Sequence, residues 1–368
     1  MYRVPFLDLG AAQAELREEL DAAALRVLHS GWYVLGPEVE AFEHEFAAWV
    51  GTREAVGVGS GLDALTLALR ALDIGPGDEV VVPSNTYIAT WLAVSAVGAT
   101  LVPVEPDETT HAVTAGAVAT ALTPRTAAVL CVHLHGRVAG VAQLRALCDR
   151  AGIALVEDAA QAHGAQGAGS SGHVAAFSFY PSKNLGAFGD GGAVTTDDPA
   201  IADRVRVLRN YGSRVRYRNE ERGVNSRLDP LQAALLRVKL RHVDAWNARR
   251  RALAARYAEL LDGAQGVELP RDDGDAHVWH LYVVRHIARD ALRATLDHAG
   301  IDTQIHYPVA PHRSGAYADL QLGPFPVADR LAATVLSLPI GPHLPAAAVD
   351  RVAEAVRGAT DLALPLAA

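Results

Sequence analysis

The sequence predicts an α/β fold: a large domain with a mainly parallel central sheet, followed by a smaller C-terminal α/β domain. Short β-branched runs at 79–82, 127–132, 153–156 and 174–179 alternate with Ala/Leu-rich helical stretches such as 61–72 and 141–151, the pattern of parallel strands joined by crossover helices. Chemistry-bearing residues follow several of these runs directly, where open parallel sheets bind ligands. At 368 residues the chain also exceeds what one core usually serves, so a second unit is expected.

In chain order, 12–28 and 37–50 read as amphipathic helices, the second opened by Pro37 with Glu38 and Glu40 behind it. The βα alternation follows. A long helical stretch covers about 229–260, and from about 277 the chain restarts with a strand, a helix and further short elements. These shifts place a large domain at 1–240 and a smaller one at 241–368.

A formal net charge of −9 argues against a broad nucleic-acid surface, which needs clustered cations. The N-terminus has no basic-then-apolar leader and no apolar run reaches membrane-spanning length, so a soluble, cytoplasmic protein is expected. Cys131 and Cys148 stand outside any CxxC spacing. Among 15 histidines, His133 and His135 would share a strand face without a third ligand at motif spacing, and His277 and His280, three apart in an expected strand, would face opposite ways; no metal is expected.

The basic residues are 31 arginines and two lysines, Lys183 and Lys239. Lys239 lies in Leu-Leu-Arg-Val-Lys-Leu-Arg, where a basic side chain suits the wet face of a helix. Lys183 instead lies in Phe-Ser-Phe-Tyr-Pro-Ser-Lys-Asn-Leu-Gly, before Gly186, Gly189, Gly191 and Gly192. An amine forms an imine with an aldehyde, which a guanidinium does not do stably.

Three other strand ends add to it. In Val56-Gly-Val-Gly-Ser-Gly-Leu-Asp, the amides of Gly61, Leu62 and Asp63 would open a helix and suit a phosphate; a dinucleotide fingerprint fails because its third glycine is Leu62. The same residues also read as a Ser60 cap reciprocated by Asp63. Asp158 ends a buried strand, where it suits either a helix cap or an anionic partner for a pyridinium nitrogen, with Glu157 beside it at a surface position. Tyr87, after the Val-Val-Val strand, could stack on a flat ring, with Trp91 one helical turn on, or both could be core.

Taken together, Glu157-Asp-Ala-Ala-Gln-Ala-His-Gly and Ser178-Phe-Tyr-Pro-Ser-Lys-Asn-Leu-Gly resemble the DegT/DnrJ/EryC1/StrS family of nucleotide-sugar aminotransferases, over nearly the whole chain. The resemblance implies an aspartate-aminotransferase-like fold (fold type I), a homodimer with interfacial active sites, and pyridoxal 5'-phosphate (PLP). Lys183 matches the Schiff-base lysine, Asp158 the pyridinium partner and Gln161 the residue beside the cofactor hydroxyl. Ser178, Gly61 and Leu62 match phosphate contacts, and Asn225 the asparagine that reaches the phosphate from the neighbouring subunit. Where the family usually carries Thr or Ser, Leu62 offers only its amide. Leu208-Arg-Asn-Tyr-Gly-Ser-Arg-Val-Arg-Tyr and Gly36-Pro-Glu-Val-Glu resemble the branch that aminates C3 of dTDP-3-keto-6-deoxyhexoses with L-glutamate; a C4-aminating enzyme and a non-catalytic cofactor-binding regulator are the alternatives. His306 and Tyr307 resemble a loop bordering the sugar, and His135 replaces a frequent Tyr. Arg214, Arg216 and Arg218 suit either an anion or solvent. A dehydratase of this fold would carry His in place of Lys183 or an iron–sulfur cluster.

Overall fold

The computed structural model describes residues 3–138 and 140–360; positions 361–368 of the expected C-terminal domain lie outside the described residues. Where one helix was expected at 12–28 there are two, α1 (Leu9–Glu15) and α2 (Arg17–Ser30), because the backbone breaks at Leu16 (φ −112°, ψ 16°). Asp8 caps α1 by accepting the amides of Gly10 and Ala11 at 2.9 and 3.1 Å. Helix α3 (Pro37–Val50) keeps its expected bounds, with Pro37 in its first turn and left-handed Gly51 (φ 86°) closing it.

The large sheet and its helices follow in the order β1 (Glu54–Val58), α4 (Gly61–Ala71), β2 (Glu79–Pro83), α5 (Ile88–Ala96), β3 (Thr100–Val104), α6 (Ala115–Ala121), β4 (Thr126–Val132), α7 (Val141–Ala151), β5 (Ala154–Asp158), β6 (Val174–Ser178), β7 (Gly192–Thr196) and α8 (Pro199–Leu208). The strand order is β1-β7-β6-β5-β4-β2-β3. Every neighbouring pair is parallel except those of β7, which runs antiparallel to both β1 and β6. The Gly-rich run hid this strand from the sequence reading. Gly192 has to be glycine: a Cβ there would lie 2.4 Å from the Ser60 carbonyl oxygen and 2.8 Å from that of Phe177. The topology aligns the carboxyl ends of β1, β2, β4, β5 and β6 along one edge, as the sequence reading required.

Helices cover both faces. Leu65, Leu69, Trp91 and Val205 of α4, α5 and α8 pack on one side. On the other, α3 is pinned by Phe46, whose ring stacks on Phe42 at 5.5 Å and meets Phe177 and Phe179 edge-on at 5.1 and 5.3 Å. Trp91 is wholly buried with its indole N–H on the Pro83 carbonyl, so it is core.

A hairpin, β8 (Ser213–Val215) and β9 (Arg218–Asn219), precedes α9 (Pro230–Leu240) and α10 (Val243–Leu261), which divide the single stretch expected at 229–260. Lys239 corrects its sequence reading. It is 7% exposed rather than on a wet face, because α9 is sandwiched between other elements and buries most of its length. Then come β10 (Val267–Glu268), β11 (Tyr282–His286), α11 (Arg289–His298), α12 (Pro326–Thr334), β12 (Val335–Leu338) and α13 (Ala346–Thr360), with an antiparallel sheet ordered β10-β11-β12. The strand expected near 277 starts only at Tyr282: His277 stacks on Trp279 at 3.9 Å in a buried turn, with Trp279 left-handed (φ 50°). Val4 bridges to Ile301, so the first described residues sit with the smaller sheet.

Because Phe46 holds α3 against the strand leading to Lys183, Phe46→Ala should cost about 3–5 kcal/mol. A fall in the urea midpoint at constant slope would measure it, and an unchanged midpoint would contradict this packing.

Candidate active site

Strand β5 ends in Asp158, whose buried carboxylate accepts from Thr90 Oγ1 at 2.9 Å and from the Ala160 amide at 3.2 Å. Burial pushes this carboxyl above its usual range, against the pull of those hydrogen bonds and the Lys183 ammonium. Such a carboxylate is primed for a cation. Its neighbour Glu157 is not at the surface: it is fully buried, bonded to His133 Nε2 at 2.6 Å and to the amides of Gly169 and Ser171 at 3.0 and 2.9 Å. Burial alone would raise its pKa, but His133 and the amides hold it below the ordinary value. The pair ties β4, β5 and the 169–172 turn together, and His133 has left the strand face it was expected to share with His135.

Strand β6 delivers Ser178, and the chain then turns so that the Lys183 amide bonds the Tyr180 carbonyl at 2.9 Å. Burial lowers the Lys183 amine to about 8, with Asp158 opposing the shift. Across the edge, Ser60 caps α4 through the Asp63 amide at 3.1 Å. Asp63 does not reciprocate; its carboxylate accepts from Ser226 Oγ at 2.8 Å. The amides of Gly61 and Leu62 therefore open α4 without a cap. Gly61 packs directly on Ser178: a Cβ at 61 would sit 2.6 Å from Ser178 Cβ. Two segments far apart in sequence thus make one anion cradle.

Beside Asp158, Gln161 accepts from the His135 amide at 2.6 Å and donates to the Tyr307 hydroxyl at 2.9 Å. The Tyr307 ring lies 5.1 Å from that of Tyr87, which remains 54% exposed and so offers a free aromatic face. His306 bonds Ser337 Oγ at 2.8 Å, and burial lowers its imidazole to about 4, so it is neutral near pH 7. His135 is buried, left-handed (φ 64°) and 3.1 Å from His111 Nδ1. Asn225 is exposed on the cradle's rim, one residue before Ser226, which also accepts from the Gly59 amide at 3.0 Å. Arg214 is engaged by Asp203 and Glu220, and Arg216 lies over Tyr217. Thr90 was missed in the sequence; the available signal was a hydroxyl three residues after Tyr87, in the first turn of α5.

A paired anion cradle, a flat aromatic face, a buried carboxylate and a half-buried amine are the groups that PLP needs for its phosphate, ring, pyridine nitrogen and aldehyde. Among the described residues, no group of three or more His, Cys, Asp or Glu could hold a metal, and no helix is long and apolar enough to cross a membrane.

The DegT/DnrJ/EryC1/StrS aminotransferase family model matches residues 14–357. A "dTDP-3-amino-3,4,6-trideoxy-alpha-D-glucose transaminase" of Streptomyces venezuelae is 60% identical, with 96% of each chain covered. The crystal structure of S. venezuelae DesV superposes with a TM-score of 0.96 at 58% identity, covering 99% of this chain and 100% of that one. Bacillus subtilis NtdA with bound cofactor PMP gives 0.92 at 28% identity, covering 98% and 86%.

Gly61→Ala should weaken PLP binding at least about tenfold, since the methyl must displace Ser178 from the cradle. An absorbance titration of apoprotein measures this, and a wild-type dissociation constant would contradict the cradle.

Proposed function

The chain belongs to the DegT/DnrJ/EryC1/StrS aminotransferase family, and we propose that it transfers an amino group from L-glutamate to C3 of a dTDP-linked 3-keto-6-deoxyhexose, giving a 3-amino-3,6-dideoxy sugar. That it is a PLP-dependent aminotransferase of nucleotide-linked ketosugars is the premise. The observation carrying the reading is the half-buried Lys183 amine, close enough to the buried Asp158 carboxylate at the strand edge that each charge acts on the other.

When bound, the cofactor supplies an aldehyde that accepts the amino group and a ring that stabilises negative charge at the reacting carbon. Asp158 would hold a proton on the pyridine nitrogen; Thr90 and the Ala160 amide fix its oxygens. Lys183 would hold the cofactor through its aldehyde and would take the proton from the donor α-carbon; an amine lowered to about 8 suits it as both nucleophile and base near neutrality. Gly61, Leu62 and Ser178 take the phosphate, Tyr87 the ring face and Gln161 the ring hydroxyl. His306, neutral and anchored on Ser337, and Tyr307 border the sugar.

We read the protein as a cytoplasmic homodimer whose cofactor domain is 1–240 and whose smaller domain is 241–368. Trp32, Tyr33, Tyr180, Tyr211 and Tyr217 are all more than half exposed, aromatic side chains that a second copy would cover. Asn225 on the rim is then free to reach the other subunit's phosphate.

L-Glutamate should bleach the cofactor's near-visible band, and the ketosugar should restore it. Among dTDP-linked 3-keto and 4-keto sugars, with and without a C4 hydroxyl where possible, a 3-keto sugar should turn over fastest; preference for a 4-keto sugar would reassign the position aminated. Cofactor capture by apoprotein needs the uncharged Lys183 amine, so its rate should rise with pH and level off above about 8. Stopped-flow absorbance tests this, and a rate flat from pH 6 to pH 9 would contradict it.

A further inference from the structure

A cavity of about 200 Å³ lies behind the Lys183 turn, between residues 7–13, α9, α10 and Pro342–His343. Both lysines of the chain, Lys183 and Lys239, line it, with Arg250 and His343. Lys239 and Arg250 are buried, at 7% and 3% exposure, and burial is the one influence that shifts either, with no carboxylate opposing it. Their hydrogen bonds go to neutral carbonyls: Lys239 Nζ to Gly186 at 2.7 Å, and Arg250 Nη1 to Trp279, His280 and Ile340 at 3.2, 3.4 and 3.3 Å. The Lys239 ammonium also sits 4.1 Å over the Phe188 ring. Arg250 Nε is buried with no partner.

Among the described residues, no carboxylate forms an ion pair with either cation. The lining's one carboxylate, Asp8, is engaged by the amides of Gly10 and Ala11. His343 is bonded to Glu15, which also takes Arg249. Two buried cations without a carboxylate in direct contact are costly, and an unbonded guanidinium N–H adds to that cost. Carbonyl dipoles and an aromatic face soften the penalty without cancelling the charge. In a chain that pairs its arginines repeatedly with Asp and Glu, this pair stands apart, and it stands beside the reacting amine.

We propose that this cavity is an oxyanion subsite that takes a carboxylate of the amino donor, with Lys239 and Arg250 as its counter-charges. The inference rests on the transamination reading and assigns its donor site. A nucleotide sugar carries the same chemistry in its diphosphate, so the test separates the two sources. Lys239→Gln keeps a donor for the Gly186 carbonyl and removes the charge, whereas Lys239→Arg keeps the charge.

In cofactor-loaded enzyme, Lys239→Gln should raise the KM for L-glutamate at least about tenfold with kcat little changed, and Lys239→Arg should recover most of the loss. Binding of glutarate, an unreactive dicarboxylate, should weaken in parallel by calorimetry. A rise confined to the KM of the nucleotide sugar, with inorganic pyrophosphate binding weakened instead, would overturn the donor assignment in favour of the diphosphate. Unchanged KM values for both substrates would overturn the subsite altogether. Should Lys239→Gln fail to fold, the wild type decides: glutarate competing with glutamate and not with the ketosugar supports the proposal, and any other pattern overturns it. A wild type that performs neither half-reaction defeats the transamination reading itself, a result distinct from all of these.

Discussion

A carboxylate enclosed at the end of a central strand is unfavourable until a positive charge meets it, and much of this molecule is arranged around that problem. Asp158 has one oxygen on Thr90 from α5 and the other on the Ala160 amide, which keeps it in place without neutralising it. Burial still pushes its carboxyl upward, and Lys183 is the cation that pulls it back. The coupling is mutual: the same enclosure strips the Lys183 ammonium of water and brings its amine to about 8. Each group is costly to enclose alone, and each charge offsets part of the other's cost; in the proposed mechanism Asp158 would serve as the ring-nitrogen partner and Lys183 as the base.

The sheet topology makes this meeting possible. Parallel β5 and β6 bring Asp158 and Ser178 to the same edge, and antiparallel β7 returns the Gly-rich loop through a gap so narrow that Gly192 cannot carry a side chain. Contact between Gly61 and Ser178 closes the end of the edge where the phosphate is proposed to bind. Glu157, one residue from Asp158 and equally buried, has the opposite fate: His133 and the amides of Gly169, Ser171 and Gly172 satisfy it completely, and it serves as a tie between strands. Adjacent carboxylates on opposite faces of one strand thus divide into a structural residue and a chemical one.

Residues whose meaning is local were legible in the sequence. Lys183 stood out because a guanidinium could not replace it, Pro37 announced its helix, and alternation of hydrophobic runs gave the sheet. What escaped depends on distant contacts. Strand β7 is too short and too glycine-rich to show its own periodicity, and Thr90 gains meaning only where α5 passes the end of β5. Lys239 followed a helical pattern that gives no hint of α9 being covered on nearly all sides. Leu16 and the residues after Leu240 interrupt runs whose hydrophobic period continues through the break.

The two lysines lie against one turn, yet the tasks proposed for them differ: Lys183 would bond the cofactor, and Lys239 would lend its charge. Borohydride reduction of the PLP-loaded protein, followed by proteolysis and mass spectrometry, separates them in one measurement. Cofactor mass fixed on the peptide carrying Lys183, with the Lys239 peptide unmodified, is the expected result; cofactor on Lys239, or on neither lysine, would contradict it.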